Sequence, residues 1–147
     1  MDEIREIVRK VLEQGYLLSL ATADNTGIWV ADVVYVNDKD FNIYWLSHHD
    51  TRHSKAIMKN PSVAGTITIS NNPGEQDVGL QIEGQAEKIE GDILLIAKKH
   101  LAKRGKPAPT KEGEIFETGQ SWYRMKPKKI ELIHEPIFGR IKKALDF

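Results

Sequence analysis

The sequence predicts a mainly β, α+β fold, a small six-stranded antiparallel barrel with peripheral helices. Three observations lead there. Apolar runs rich in β-branched and aromatic residues fill 16–23, 28–36 and 41–46, and the polar turns between them are too short for the helical crossovers of a parallel sheet. Residues 78–89 alternate apolar and polar side chains, the period of a strand with one buried face. Helical spacing is confined to 2–14, about 52–59 and 92–103, so strands dominate and helices fall at the margins.

In residues 2–14, Ile4, Ile7, Val8, Val11 and Leu12 form one apolar stripe, and Gly15 supplies a stop. Residues 16–23 and 28–36 flank the turn Asp24-Asn25-Thr26-Gly27 as a hairpin, and Asn37-Asp38-Lys39-Asp40 turns into a third strand over 41–46. The short helix 52–59 is ended by Asn60-Pro61, and a fourth strand covers 62–69. Within the fifth strand, Leu80, Ile82, Gly84 and Ala86 share one face, and Gly84 marks a bulge or a close backbone approach. The 92–103 helix carries His100 on its inner side, as a satisfied core histidine, whereas His134 has no legible place. Residues 105–120 are expected to be a mobile loop. A sixth strand over 121–133 contains Pro127, which requires an edge position or a bulge, and 134–147 reads as a tail, helical in part from Arg140.

Lysine plus arginine and aspartate plus glutamate both number 21, and a general nucleic-acid binder is usually basic, so that class is disfavoured. The absence of cysteine excludes disulfides, zinc–thiolate sites and thiol nucleophiles, and fits a reducing compartment. The charged start of the chain lacks a signal peptide's apolar stretch, and no run approaches the roughly 18 apolar residues of a membrane span. A single cytoplasmic domain over 1–147, with neither membrane nor nucleic acid as partner, is the expectation.

Chemistry-bearing side chains concentrate in the stretch from Trp45 to Lys55, where a strand passes through a polar turn into a helix. Ser47, Thr51, Arg52 and His53 place hydroxyls, a guanidinium and an imidazole where a helix start leaves backbone N–H groups unpaired, the recipe for a phosphate site. Thr51 also reads as the N-cap of that helix. His48, His49 and His53 raise the question of a metal, but no carboxylate completes an HExxH pattern and His49 precedes the helix, so none is expected. Neither GxGxxG nor GxxxxGK[ST] occurs, so a nucleotide-like phosphate is held without those loops. Asp32 is the unexpected charge in an apolar strand; facing a ligand, accepting a hydrogen bond across the sheet and pointing to solvent all remain open. Trp29 and Trp45 fit either ligand stacking or packing in the core or an interface.

Six segments in order resemble the pyridoxamine 5'-phosphate oxidase-like FMN-binding split-barrel family. They are Leu18-Ser19-Leu20-Ala21-Thr22-Ala23; Val30 to Val36; Ile43-Tyr44-Trp45-Leu46-Ser47; Thr51-Arg52-His53 with Met58-Lys59-Asn60-Pro61; Gln81 to Glu87; and Tyr123 to Glu131. The likeness spans roughly residues 15–135. It implies a split barrel, a homodimer and FMN at the subunit interface. Phosphate contacts would fall on Ser47, Thr51, Arg52 and His53, and the isoalloxazine ring would lie along the backbone of Val30, Ala31, Asp32, Trp45 and Leu46. Trp122 or Tyr123 of a partner would close the site. The true oxidases carry cations where this chain has Asp32 and Asn37, and Lys where it has His53, so vitamin B6 synthesis is not expected. The resemblance implies an FMN-dependent oxidoreductase of unknown substrate. The alternatives are a flavin store or sensor without catalysis, and the same barrel with haem or a deazaflavin.

Overall fold

The computed structural model describes residues 2–91, 93–108 and 119–147. Those residues form helices α1 (Asp2–Gln14), α2 (Arg52–Lys59), α3 (Leu94–Lys103) and α4 (Glu135–Phe138), and strands β1 (Leu17–Asp24), β2 (Gly27–Asn37), β3 (Ile43–His48), β4 (Ser62–Thr68), β5 (Val78–Ile89), β6 (Gln120–His134) and β7 (Lys143–Asp146). Strand order is β3-β2-β1-β4-β5-β6-β7, and β6 also pairs with β3, closing a six-stranded antiparallel barrel. The first three strands are a meander, as their short turns dictate. Because α2 intervenes before β4, that strand joins the free edge of β1.

Alternating residues of the strands fill the barrel with Leu18, Leu20, Val33, Tyr35, Ile43, Trp45, Ile67, Leu80, Ile82, Tyr123 and Met125. α1 adds Val8, Val11 and Leu12 to the same core, each such side chain contributing about 1.5–3 kcal/mol by burial. The helix is joined at its C-terminal end to β2, where the Tyr35 hydroxyl donates to the Leu12 carbonyl at 2.6 Å. Burial pushes that phenol's pKa up. Gly15 serves close packing, since a Cβ there would lie 2.3 Å from the Tyr35 oxygen.

The expectations for Gly84 and Pro127 hold together as one feature. Glu83 pairs with Lys129 but Gly84 with Pro127, so β6 bulges at Lys128, and a Cβ on Gly84 would come 2.2 Å from the Lys126 carbonyl oxygen. On its other side β6 pairs with β3 up to Met125 and with β7 from Lys129, so Pro127 falls between two ladders and deprives neither of a bond.

Two expectations are corrected. The third strand begins at Ile43, because the Asp38 carboxylate accepts the N–H groups of Asp40 (2.8 Å) and Asn42 (3.0 Å) and extends the turn. In that turn Phe41 adopts φ 68° and buries its ring against Phe147. The tail forms α4 and then β7, whose Leu145 enters the core, so 140–147 is not helical. Trp122 and Tyr123 are 2% and 1% exposed in the single chain. Of the expected mobile loop, 109–118 lie outside the described residues. Gly105, at φ 69°, ends α3 by donating to Ala102 while Lys106 donates to Leu101, the Schellman arrangement. No helix among the described residues is long and apolar enough to cross a membrane.

Candidate functional site

The barrel is split where β2 and β3 part. Their ladder comprises only Tyr35↔Trp45, Val36↔Tyr44 and Asn37↔Ile43, while β2 continues alongside β1 to Gly27. Tyr35 donates to the Tyr16 carbonyl, so odd-numbered residues of β2 turn their backbone groups towards β1. Ile28, Val30 and Asp32 therefore turn theirs towards the opposite edge, which no strand among the described residues covers. This segment is also bare on its side-chain faces: Ile28, Trp29 and Val30 are 78%, 44% and 58% exposed.

The start of α2 stands beside that edge. Arg52 places its guanidinium carbon 4.3 Å from the centre of the Trp29 ring and donates one N–H to the Thr26 carbonyl at 3.3 Å. Among the described residues this is its only hydrogen-bond acceptor, so four of the five N–H groups of a guanidinium are left for an anion. Thr51 caps the helix, its hydroxyl accepting from the Ser54 N–H at 3.2 Å and lying 2.7 Å from the Ser54 hydroxyl. His53 is buried, its Nε2 3.0 Å from Ser47 Oγ and 3.3 Å from Thr51 Oγ1. Ser47, Thr51 and His53 are thus one hydrogen-bonded group, and Arg52 projects away from it towards β2.

Thr51→Ala removes the cap and is expected to cost about 1 kcal/mol of stability. A urea midpoint equal to that of the wild type would show the hydroxyl is not capping.

Burial lowers the pKa of both His53 and His100 from 6.5. Below pH 6.5 the unfolded chain takes up protons that the folded chain does not, so their contribution is complete above that pH and is lost as pH falls below it. Urea midpoints are expected to drop between pH 7.5 and 5.5, and to drop less in His100→Gln; equal drops would remove His100 from the account.

Of the predicted residues, Ser47, Thr51, Arg52 and His53 come together as described. Val30 and Asp32 supply the open edge, and Ala31, between them, turns its backbone to β1. The Asp32 side chain is exposed and accepts from Ser19 Oγ at 2.6 Å. Trp45 is fully buried and stacks on Tyr123 at 6.1 Å, so its ring is core. Leu46 packs with Trp122 on the opposite side of β3. Asp38 donates to the Asn42 carbonyl and His49 donates to Gly119, so even-numbered residues of β3 face β2, and Leu46 turns its backbone groups into the gap where β2 and β3 part. His49 is held by the Gly119 carbonyl, to which its backbone N–H donates at 2.9 Å. No cluster of metal-ligating side chains occurs among the described residues. Ser54, fully buried beneath Thr51, was missed, though its place three residues after the cap is a legible signal. Thr26 and Trp29 as Arg52's supports leave no signal, since both lie a hairpin away.

No family model matches the chain. Among solved structures it is similar to HutZ, the heme storage protein from Vibrio cholerae (TM-score 0.65, 21% identity, 86% of this chain and 88% of that one). It is similar also to a pyridoxamine 5'-phosphate oxidase-like protein from Listeria innocua (0.66, 16%, 88% and 98%). An F420 reductase is a third such structure (0.63, 19%, 83% and 94%). At such identities the likeness shows the fold, a split barrel, and no more. Among curated sequences, a UPF0306 protein of Yersinia enterocolitica is 28% identical over 99 residues, 67% of each chain. A UPF0306 protein of Photorhabdus laumondii is 30% identical over 100 residues, 67% of this chain and 70% of that one. On that match, within a split barrel whose open β2 edge meets the start of α2, the chain belongs to the UPF0306 family.

Proposed function

We propose that the protein binds FMN and acts as a flavin-dependent oxidoreductase. The observation that carries this reading is Arg52, spread on Trp29 with unused N–H groups, at the head of an unpaired β-edge. The phosphate would rest on Arg52, the first N–H groups of α2 and the hydroxyls of Thr51 and Ser47. Burial keeps His53 neutral above the acid range, so it orients those hydroxyls without adding a charge. The ring would lie along the edge groups of Val30 and Asp32, which can hydrogen-bond its heteroatoms. When bound, flavin supplies the hydride or electron chemistry, and the protein supplies position and electrostatics. Exposed Ile28, Trp29 and Val30 favour a second copy as the cover for the ring, in a homodimer. Position 32 presents a carboxylate and Asn37 is buried, so these two positions offer no cation to a phosphorylated vitamin.

The test is a fluorescence titration with FMN and riboflavin. FMN is expected to bind at one per chain and more tightly than riboflavin, which lacks the phosphate. Equal affinities would refute the phosphate site, and no binding would refute the flavin. Stopped-flow reduction by nicotinamide donors then separates an enzyme from a flavin store or sensor, and sedimentation tests the dimer. A second reading, haem, is favoured by the exposed His48 and His49 close to the site and by the likeness to a heme storage protein. A Soret band with haem and no flavin binding would select it. The likeness to an F420 reductase makes a deazaflavin the third ligand to titrate.

A further inference from the structure

After α4 the chain reverses at Gly139, at φ 59°, and residues 140–142 return along β6 before pairing as β7. Arg140 and Lys142 of that return line a cavity of about 650 Å³. The cavity lies on the outer surface of the barrel, where Thr66, Thr68 and Gln81 are exposed and their neighbours Ile67 and Leu80 point inward. Its floor is β5 at Gly79, which pairs with Thr68 on one side and Ile133 on the other. Opposed residues share a face of the sheet, so the missing side chain leaves a hollow between them. A Cβ at Gly79 would lie 2.6 Å from the Ile67 carbonyl oxygen, so the hollow cannot be filled from position 79.

The polar groups around the hollow are largely unanswered. The side chains of Arg140, Asp77, Thr66 and Thr68 have no hydrogen-bond or ion-pair partner among the described residues. Lys142 Nζ donates to the Gln81 amide oxygen at 2.8 Å, a neutral acceptor, which leaves the two amide N–H groups of Gln81 free. A neighbouring hollow of about 480 Å³ shares Thr66 and Gln81, but its cation, Lys129, lies 3.9 Å from Glu131. Arg140 and Lys142 have no such carboxylate.

The lining specifies the occupant's chemistry. Arg140, Lys142 and the Gln81 amide offer positive charge and donors, which suit an anionic group. Asp77 lies four residues before Gln81, roughly 13 Å along an extended chain. There Glu135 is latched to it, its Oε1 accepting the Asp77 N–H at 2.8 Å. Two carboxylates at that end repel a second negative charge but accept from hydroxyl groups. The hydroxyls of Thr66 and Thr68, on the β4 side, both donate and accept.

We propose that this hollow binds a small anion with a hydroxyl-bearing body, a sugar phosphate in class. Its charged group lies against Arg140 and Lys142, and its hydroxyls meet Thr66, Thr68 and Asp77. A bare ion leaves the hydroxyls and Asp77 without partners, and an uncharged sugar leaves Arg140 without one.

Glucose 6-phosphate, glucose and inorganic phosphate are the probes. The side-chain amide resonances of Gln81, assigned by their loss in Gln81→Glu, are the readout in ¹⁵N-labelled protein. Glucose 6-phosphate is expected to shift them saturably and to bind at least ~10-fold more tightly than either fragment. Arg140 is exposed, so Arg140→Gln keeps the fold, and it is expected to weaken glucose 6-phosphate ~10-fold or more. Asp77→Ala is expected to weaken glucose 6-phosphate and to spare phosphate. Arg52→Ala is expected to leave the response unchanged, which separates this site from the start of α2. The proposal is overturned by unmoved resonances at millimolar glucose 6-phosphate, as when a second copy covers the hollow. Phosphate or glucose binding as tightly, an unchanged response in Arg140→Gln, or a response lost in Arg52→Ala would overturn it too. None of these outcomes depends on flavin binding.

Discussion

Gly84→Val is expected to destabilise the protein by on the order of 3 kcal/mol or more, the largest loss of any single change considered for this barrel. The first added carbon already lies 2.2 Å from the Lys126 carbonyl oxygen, and the clash is with backbone at the bulge, where no side chain can rotate away. Relief requires β5 and β6 to separate, and they form the longest ladder of the barrel, from Val78↔His134 to Ile89↔Trp122. The melting temperature is expected to fall by roughly 10 °C. Gly74 provides the comparison. It sits at φ 87° with nothing within 4 Å of an added Cβ, so Gly74→Ala pays only the left-handed backbone cost of about 1–2 kcal/mol. Equal melting temperatures for Gly84→Val and the wild type would mean the strands do not approach as described.

Arg52→Ala is expected to weaken FMN binding about 10- to 100-fold, the worth of charge-assisted hydrogen bonds to phosphate. Riboflavin affinity is expected to stay unchanged, which separates a phosphate contact from a general distortion of the edge. Arg52→Lys is expected to fall between, since lysine keeps the charge but loses the planar fork and its stacking on Trp29. Because Arg52 is exposed, the urea midpoint should stay within about 0.5 kcal/mol of the wild type. Undiminished FMN affinity in a folded Arg52→Ala protein would remove the residue from the site. Loss of FMN and riboflavin in equal measure would place its effect on the ring edge.

Local features were legible in the chain because they repeat at short range. The alternation over 78–89 marks β5 with its ends, and Gly84 within it announced the bulge that Pro127 answers on β6. The stripe from Ile4 to Leu12 marks α1, and Thr51 before Arg52 marks the cap of α2. The concentration of hydroxyls, guanidinium and imidazole around that cap was equally visible, because a helix start and its ligating side chains are neighbours in sequence. The seventh strand was not visible: four residues from Lys143 to Asp146 carry too short a pattern, and only the free edge of β6 makes a strand of them.

What the sequence determined by itself was the first six strands, the turn chemistry and the polar cluster at the start of α2. What only the tertiary structure decided was how those pieces face one another. Closure of β6 on β3, placement of β4 beside β1 and the parting of β2 from β3 after three residue pairs all depend on partners far away in the chain. Periods of two and 3.6 residues specify which side of an element is buried, but not which element covers it or in what register. The open edge at Val30 and Asp32 and the resting of Arg52 on Trp29 are consequences of register and closure, so they exist only in the folded barrel.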